Sequence, residues 1–166
     1  MEITSDIQLR GEPWHIALDK LTNVFQVRTN YTIFMMALSI GIMYDKRIEK
    51  FDEFIADSNP SVPRNVIQNQ DGGKLDYIFQ AAILSTSTET FSEEERLNLA
   101  FGEKTDFNKI RFLTEFANFG VTKLNECIGS TELETMDNIK NYLCLSVEGK
   151  NYDIDDISDD VLLDDF

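Results

Sequence analysis

Residues 31–44, which read YTIFMMALSIGIMY, are the stretch that decides the fold. They contain no charged side chain, and their apolar residues occupy nearly every direction around a helix. Because a helix that is apolar all round is buried among its neighbours, this stretch predicts a central core helix. It is too short to cross a bilayer, which needs about 20 apolar residues.

Amphipathic helices are predicted on both sides of the core helix. Upstream, Glu12-Pro13 opens a helix that runs to about Phe25, and Thr29 or Asn30 then caps the core helix. Downstream, apolar residues at spacings of three and four predict helices at about 74–86, 92–102, 106–128 and from 131 onward.

Three sequence features fix details of the later helices. Ser92 with Glu95, and Thr131 with Glu134, have the spacing of capping boxes. Gly120 lies in the middle of the longest predicted helix, where glycine costs about 1 kcal/mol relative to alanine. Such a glycine is tolerable where a neighbouring helix approaches closely.

Residues 45–71 have a different pattern, mostly irregular. Pro60 and Pro63 force an extended, turn-rich path, Val66 and Ile67 predict a short strand, and the glycines after Asp71 predict a tight turn. The whole pattern predicts a mostly α fold: one compact bundle of about six helices over residues 1–150, followed by an acidic C-terminal tail, residues 151–166.

The net charge of −15 is unevenly distributed. Residues 1–74 carry eight basic and ten acidic side chains, whereas residues 75–166 carry seven basic and twenty acidic ones. A chain this acidic repels a phosphate backbone at long range, which argues against direct nucleic-acid binding.

The cysteines and the N-terminal residues indicate the cellular location of the protein. Cys127 and Cys144 fall in apolar helical patterns and predict buried free thiols, as in a reducing cytoplasm. Residues 1–10 lack the basic start and apolar run of a signal peptide. We therefore expect a cytoplasmic protein with no membrane segment.

Residues with catalytic potential are sparse. His15 is the only histidine, and we interpret it as a helix-face residue whose polar edge meets water. One histidine and two cysteines seventeen residues apart do not make a typical zinc site. The sequence therefore predicts a non-enzymatic protein with no catalytic residue, metal or cofactor.

The tail reads NYDIDDISDDVLLDDF and mixes seven aspartates with large apolar residues. Ordinary acidic tails have few apolar groups, so this composition predicts a segment that binds a basic, partly apolar groove of a partner. A frayed terminus or a last strand packed on its own domain is the alternative. The predicted partner-binding residues are Asp153, Asp155, Asp156, Ile157, Asp159, Asp160, Val161, Leu162, Leu163 and Phe166.

Two further hypotheses concern DNA. A regulator could contact phosphates through four basic residues near the core helix, Arg28, Lys46, Arg47 and Lys50. Alternatively, the carboxylates could imitate phosphates and occupy a DNA-binding enzyme. The acids cluster at helix starts and in the tail rather than along one long face. The DNA mimic is therefore the least favoured of the three functions.

Three segments together resemble a known family. They are residues 30–42 (NYTIFMMALSIGI), 76–83 (DYIFQAAI) and 112–124 (FLTEFANFGVTKL). Their order is similar to that in the Dnd-system-associated protein 4 family, which is encoded beside bacterial DNA phosphorothioation genes that serve anti-phage defence. The run EFANFG at 115–120 matches the family's Glu-Tyr-Ala-Asn-Gly-Gly run in part, since Phe119 replaces a glycine.

The resemblance covers roughly residues 20–128 and carries over no catalytic residue. It implies an accessory subunit that binds a larger defence ATPase, nuclease or modification enzyme. It also directs attention to Asn118, because a buried asparagine must be hydrogen-bonded and could hold a neighbouring loop. A plain helix–helix contact is the alternative for that residue.

Overall fold

The computed structural model describes residues 3–26, 29–52, 54, 59–102 and 106–147. Within them are seven α-helices and one two-stranded sheet, which confirms the mostly α fold. The helices are α1 (Glu12–Phe25), α2 (Asn30–Met43), α3 (Arg64–Gln70), α4 (Lys74–Ser85), α5 (Glu93–Phe101), α6 (Lys109–Glu126) and α7 (Glu132–Val147). The strands are β1 (Ile7–Gln8) and β2 (Ser61–Val62).

Helix α2 is the centre of the molecule, as its uniform apolar sequence predicts. Residues on several of its faces are fully buried, among them Ile33, Phe34 and Leu38. Helices α1 and α6 pack against it, and the rings of Trp14 on α1 and Phe34 stack with centroids 6.3 Å apart.

Two glycines bring α2 and α6 into backbone contact. A Cβ added to Gly120 would overlap the carbonyl oxygen of Ala37, and a Cβ added to Gly41 would overlap that of Phe116. The pairing of 37 with 120 and of 41 with 116 shows that the helices run antiparallel. The close approach predicted at Gly120 is therefore confirmed, and Gly41 is its counterpart on α2.

The strand predicted at Val66 and Ile67 is wrong, because both residues lie in α3. The strand is instead Ser61–Val62, which pairs antiparallel with Ile7–Gln8. Helix α3 can start directly after Pro63 because the carboxylate of Asp6 accepts a hydrogen bond from the Arg64 amide at 2.8 Å. That cap comes from 58 residues away, so the local sequence does not reveal it.

The capping predictions have mixed outcomes. At α5, Ser92 and Glu95 form the full predicted box. At α7, the Thr131 hydroxyl accepts from the Glu134 amide at 3.1 Å, but the Glu134 carboxylate accepts from Ser130 rather than from Thr131. Thr29 stands at the start of α2 without a capping hydrogen bond from its side chain.

The turn after Asp71 is confirmed and is held by that aspartate. Gly72 and Gly73 both adopt positive φ, 58° and 86°. The Asp71 carboxylate accepts from the amides of Gly73 and Leu75 and from the Tyr31 hydroxyl, which lies 2.8 Å away. Burial and this carboxylate raise the pKa of Tyr31 above its ordinary value, so the phenol stays a donor to Asp71.

Candidate interaction surfaces

The predicted DNA-contact residues are separated by the structure. Arg28 lies outside the described residues, while Lys46 and Lys50 have exposed side chains. Arg47 is turned inward, and only 17% of its side chain is exposed. The DNA contact stays a prediction, and within the described chain it depends on the two lysines.

Arg47 joins three parts of the domain. Its guanidinium pairs with Glu89 at 2.6 Å and with Glu115 at 3.1 Å, and it lies over the Phe112 ring, 4.9 Å from the centroid. Two carboxylates and an aromatic face therefore satisfy most of its interactions. The sequence shows its charge but not these two carboxylate partners, which lie 42 and 68 positions away.

Asp45 and Arg96 close the loop between α4 and α5. Asp45, which has φ of 47°, accepts from the Ser87 amide and hydroxyl at 2.6 Å each. Partial burial alone would raise the pKa of Asp45, but hydrogen bonds from Ser87 and Thr86 outweigh burial and hold it below its ordinary value. Arg96 donates to the carbonyls of Ile83 and Thr86, both at 2.8 Å.

Asn118 does hold a neighbouring loop. Its buried side-chain oxygen accepts from the Trp14 indole at 2.8 Å, and its amide group donates to the Ile48 carbonyl at 3.0 Å. The same loop residue donates its own amide to the Glu115 carbonyl at 2.9 Å. Asn118 thus ties α1, α6 and the segment after α2 together, and it acts as a structural residue.

His15 differs from its interpretation as a residue with its polar edge in water. Its Nε2 atom is buried and has no hydrogen-bond partner among the described residues. The ring packs against Phe54, with centroids 4.9 Å apart. The helical spacing alone could not show this contact, because Phe54 lies 39 positions along the chain.

The hairpin formed by α4 and α5 presents apolar side chains to solvent. Tyr77 is 72% exposed and Phe101 is 63% exposed, while Leu84 and Leu97 are also exposed. Scattered exposed leucines are ordinary, but large apolar groups gathered on one pair of helices mark a contact surface. We call this set the hairpin face.

Helix α7 has a second exposed apolar stripe. It buries Thr135 and Ile139, whereas Leu133, Met136 and Leu143 remain exposed, Leu133 by 69%. Positions 133, 136 and 143 fall on one side of a helix. We call this stripe the α7 face; it lies on the helix that leads into residues 151–166.

The two cysteines are both free, as predicted, but only one is buried. Cys127 lies at the end of α6 in a buried position, where burial raises the pKa of its thiol. Cys144 is exposed, against expectation, because α7 buries only a narrow strip of its surface.

An open groove of about 1960 Å³ lies beside the N-terminal residues, the segment at 49–52 and the start of α6. Charged side chains of both signs line it, including Asp6, Lys50 and Arg111. Arg111 pairs with Glu115 at 2.9 Å and also with Glu49. The groove therefore presents neither a cationic nor an anionic wall.

The described residues contain neither a metal-ligand group nor a membrane-spanning helix. No three or more His, Cys, Asp or Glu side chains come together there as a group that could hold a metal ion. In the same part of the chain, no helix combines the length and apolar character needed to cross a membrane.

The predicted tail residues, from Asp153 to Phe166, lie outside the described part of the chain, and their role stays a prediction. No protein-family model, curated protein or solved structure matches this chain.

Proposed function

We propose that this chain is a non-enzymatic accessory subunit that binds a larger protein through its C-terminal element. That element consists of the α7 face together with the acidic and apolar residues 151–166. The observation that carries the proposal is the exposure of Leu133, Met136 and Leu143 on the helix that leads into this segment. Interfaces of this kind use helix anchors at spacings of three, four and seven.

The α7 face supplies part of the energy of binding. Burying a fully exposed leucine or methionine stabilises a complex by about 1.5–3 kcal/mol. Leu133, Met136 and Leu143 are already partly buried, so each supplies part of that amount. The aspartates of the tail add rate and specificity more than affinity, because exposed charges steer association.

The charges around the α7 face define the chemistry of the partner. Exposed Glu132 and Asp137 flank the apolar stripe, exposed Lys140 lies within it, and seven aspartates follow in the tail. A matching groove therefore has an apolar floor and a basic rim. The family resemblance adds that the partner is a larger ATPase, nuclease or modification enzyme of a bacterial anti-phage system linked to DNA modification.

Co-purification from the native host tests the proposal. The baits are the tagged full chain, a chain that lacks residues 151–166, and the double variant Leu133→Ser with Met136→Ser. Ile16→Ser is the matched control, because Ile16 is an exposed apolar residue of α1 that belongs to neither face.

We expect the deletion and the double variant each to lose at least about tenfold of the recovered partner, which corresponds to about 1.4 kcal/mol. The Ile16→Ser bait should recover as much as the full chain. Unchanged complex formation by both altered C-terminal baits, with neighbouring gene products as the readout, contradicts the proposal.

A further inference from the structure

The hairpin face is a surface of its own, distinct from the α7 face. On α4, Tyr77, Ala81 and Leu84 are exposed at spacings of four and seven. On α5, Leu97 and Phe101 are exposed four residues apart. Each helix therefore has one apolar stripe that it does not bury in the domain.

The two stripes belong to helices that pack against each other. Arg96 donates to the Ile83 and Thr86 carbonyls, so the face of α5 that contains Arg96 and Ala100 lies against the last turn of α4 and the core. The loop at 86–92 joins the end of α4 to the start of α5. Leu84 and Leu97 are the stripe residues nearest that loop in the chain, and both are exposed.

Gln80 is on α4, one turn after Tyr77. It lines a small hollow together with Tyr77 and the large groove together with Phe101. A shallow channel between two helices, lined by apolar side chains of both, fits the apolar side of a third helix.

The charges at one end of the channel select the occupant. Glu93 and Glu94 are exposed in the first turn of α5, and Glu94 lies one turn before Leu97 on the same stripe. The net charge of −15 adds a long-range field of the same sign.

We propose that the hairpin face is a docking site for a basic amphipathic helix of another protein, which places apolar residues against Tyr77, Leu84, Leu97 and Phe101 and its lysines or arginines beside Glu93 and Glu94. This site is independent of the C-terminal element. The chain's own tail does not complement it, because the tail's aspartates would meet the same glutamates. Two subunits or two segments of one partner can thus be bound together.

A pair of matched synthetic peptides tests the site. One is a leucine–lysine amphipathic helix of about 14 residues, or four turns, and the other has glutamate in place of every lysine. Each is labelled and titrated with the full chain, and binding is followed by fluorescence anisotropy at physiological ionic strength. The variants are Leu97→Ser with Phe101→Ser, and Ala81→Arg, which keeps a good helix former while placing a cation in the channel.

We expect saturable binding of the lysine peptide and none of the glutamate peptide. Both hairpin variants should weaken the lysine peptide by about tenfold or more. The α7 control, Leu133→Ser with Met136→Ser, should stay within about twofold of the full chain. Glu93→Gln with Glu94→Gln should weaken binding by a smaller factor that disappears at high salt.

Three outcomes overturn the inference. The first is no saturable binding of the lysine peptide. The second is equal weakening by the hairpin and α7 variants, which assigns binding to the general acidity of the chain. The third is a full-length dimer, seen by sedimentation, that dissociates when Leu97 and Phe101 are changed to serine, which assigns the face to a second copy. Failure of the C-terminal proposal changes none of these readouts, since it is measured by co-purification.

Discussion

The contact between α2 and α6 and the surfaces of α5 and α7 are built in opposite ways. At the first, Gly41 and Gly120 let two backbones touch, and the surrounding side chains are fully buried. At the second, leucines and aromatic rings stay in water. The difference indicates that the fold is held by the centre, while the outer helices contribute apolar surface that folding does not use.

Gly120→Ala should have the largest effect on stability, because it changes the backbone contact between α2 and α6. The substitution improves helix propensity by about 1 kcal/mol, yet the new methyl group overlaps the Ala37 carbonyl. Separating two packed backbones costs more than that gain, so we expect a net loss of about 3 kcal/mol or more in the free energy of unfolding. Urea denaturation followed by circular dichroism measures it.

Gly72→Ala is the matched control for that substitution. A Cβ at Gly72 meets nothing within 4 Å, but φ there is 58°. The cost should be the conformational one, about 1–2 kcal/mol. A loss at Gly120 no greater than the loss at Gly72 contradicts the role given to the helix contact.

Arg47→Met tests whether partial burial makes the ion pairs of Arg47 important for stability. It leaves Glu89 and Glu115 without their shared cation in a partly buried place, so we expect a loss of about 3 kcal/mol. Arg111→Met is its counterpart, since Arg111 also pairs with Glu115 but is well exposed. Thermal unfolding should show a clear decrease for the first variant and almost none for the second. Similar decreases would mean that burial is not the deciding factor.

Asn118→Leu should cost somewhat less, about 2 kcal/mol. It removes the acceptor of the buried Trp14 indole and the donor to Ile48 while keeping the side-chain size. Trp14 fluorescence gives a local readout in addition to the unfolding free energy. An unchanged spectrum with unchanged stability would show that the hydrogen bonds of Asn118 to Trp14 and Ile48 do not stabilise the fold.

Asp45→Asn tests, through the pH dependence of stability, how Asp45 holds the loop between α4 and α5. Because the pKa of Asp45 lies below its ordinary value of 3.8, its carboxylate stabilises the fold above that pH, and the contribution is lost as pH falls through the lowered pKa. Asparagine tolerates the positive φ, so the substitution removes the charge and one of the two acceptor oxygens without straining the backbone. The stability gap between the original chain and the variant should be full at about pH 6 and shrink below about pH 4. A gap that is constant with pH rules out the charge.

Leu97→Ser with Phe101→Ser should have the smallest effect on stability, under about 1 kcal/mol, because both side chains are already in water. The same urea titration measures it, with Leu113→Ala in the buried part of α6 as the contrasting variant. If the surface double variant is as damaging as the core variant, the hairpin face belongs to the folding core and is not spare.

The sequence allowed the fold to be predicted where the determining contacts are local. The bounds of α1 follow from Glu12-Pro13 and its apolar spacing, and the Ser92–Glu95 box follows from four consecutive residues. The need for close packing at Gly120 was also predictable, since a helix interior rarely keeps glycine without a reason. Its partner Gly41 was not, because nothing in the chain says which helices cross.

Several of the errors share one cause, which is dependence on distant residues. The first turn of α3, where a strand was expected at Val66, is capped by Asp6 from 58 residues away. Arg47 was grouped with surface cations because its partners, Glu89 and Glu115, are far along the chain. The hairpin face was missed because its apolar residues look like ordinary core positions until the packing of α5 on α4 is known.

Hydrogen exchange of the free chain, compared with the complex purified from the host, separates the centre that holds the fold from the element that binds. We expect strong protection of amides in the middle of α2 and α6 in both samples, whereas residues 132–166 gain protection only in the complex. Equal protection at 132–166 with and without the partner would show that the partner does not bind there.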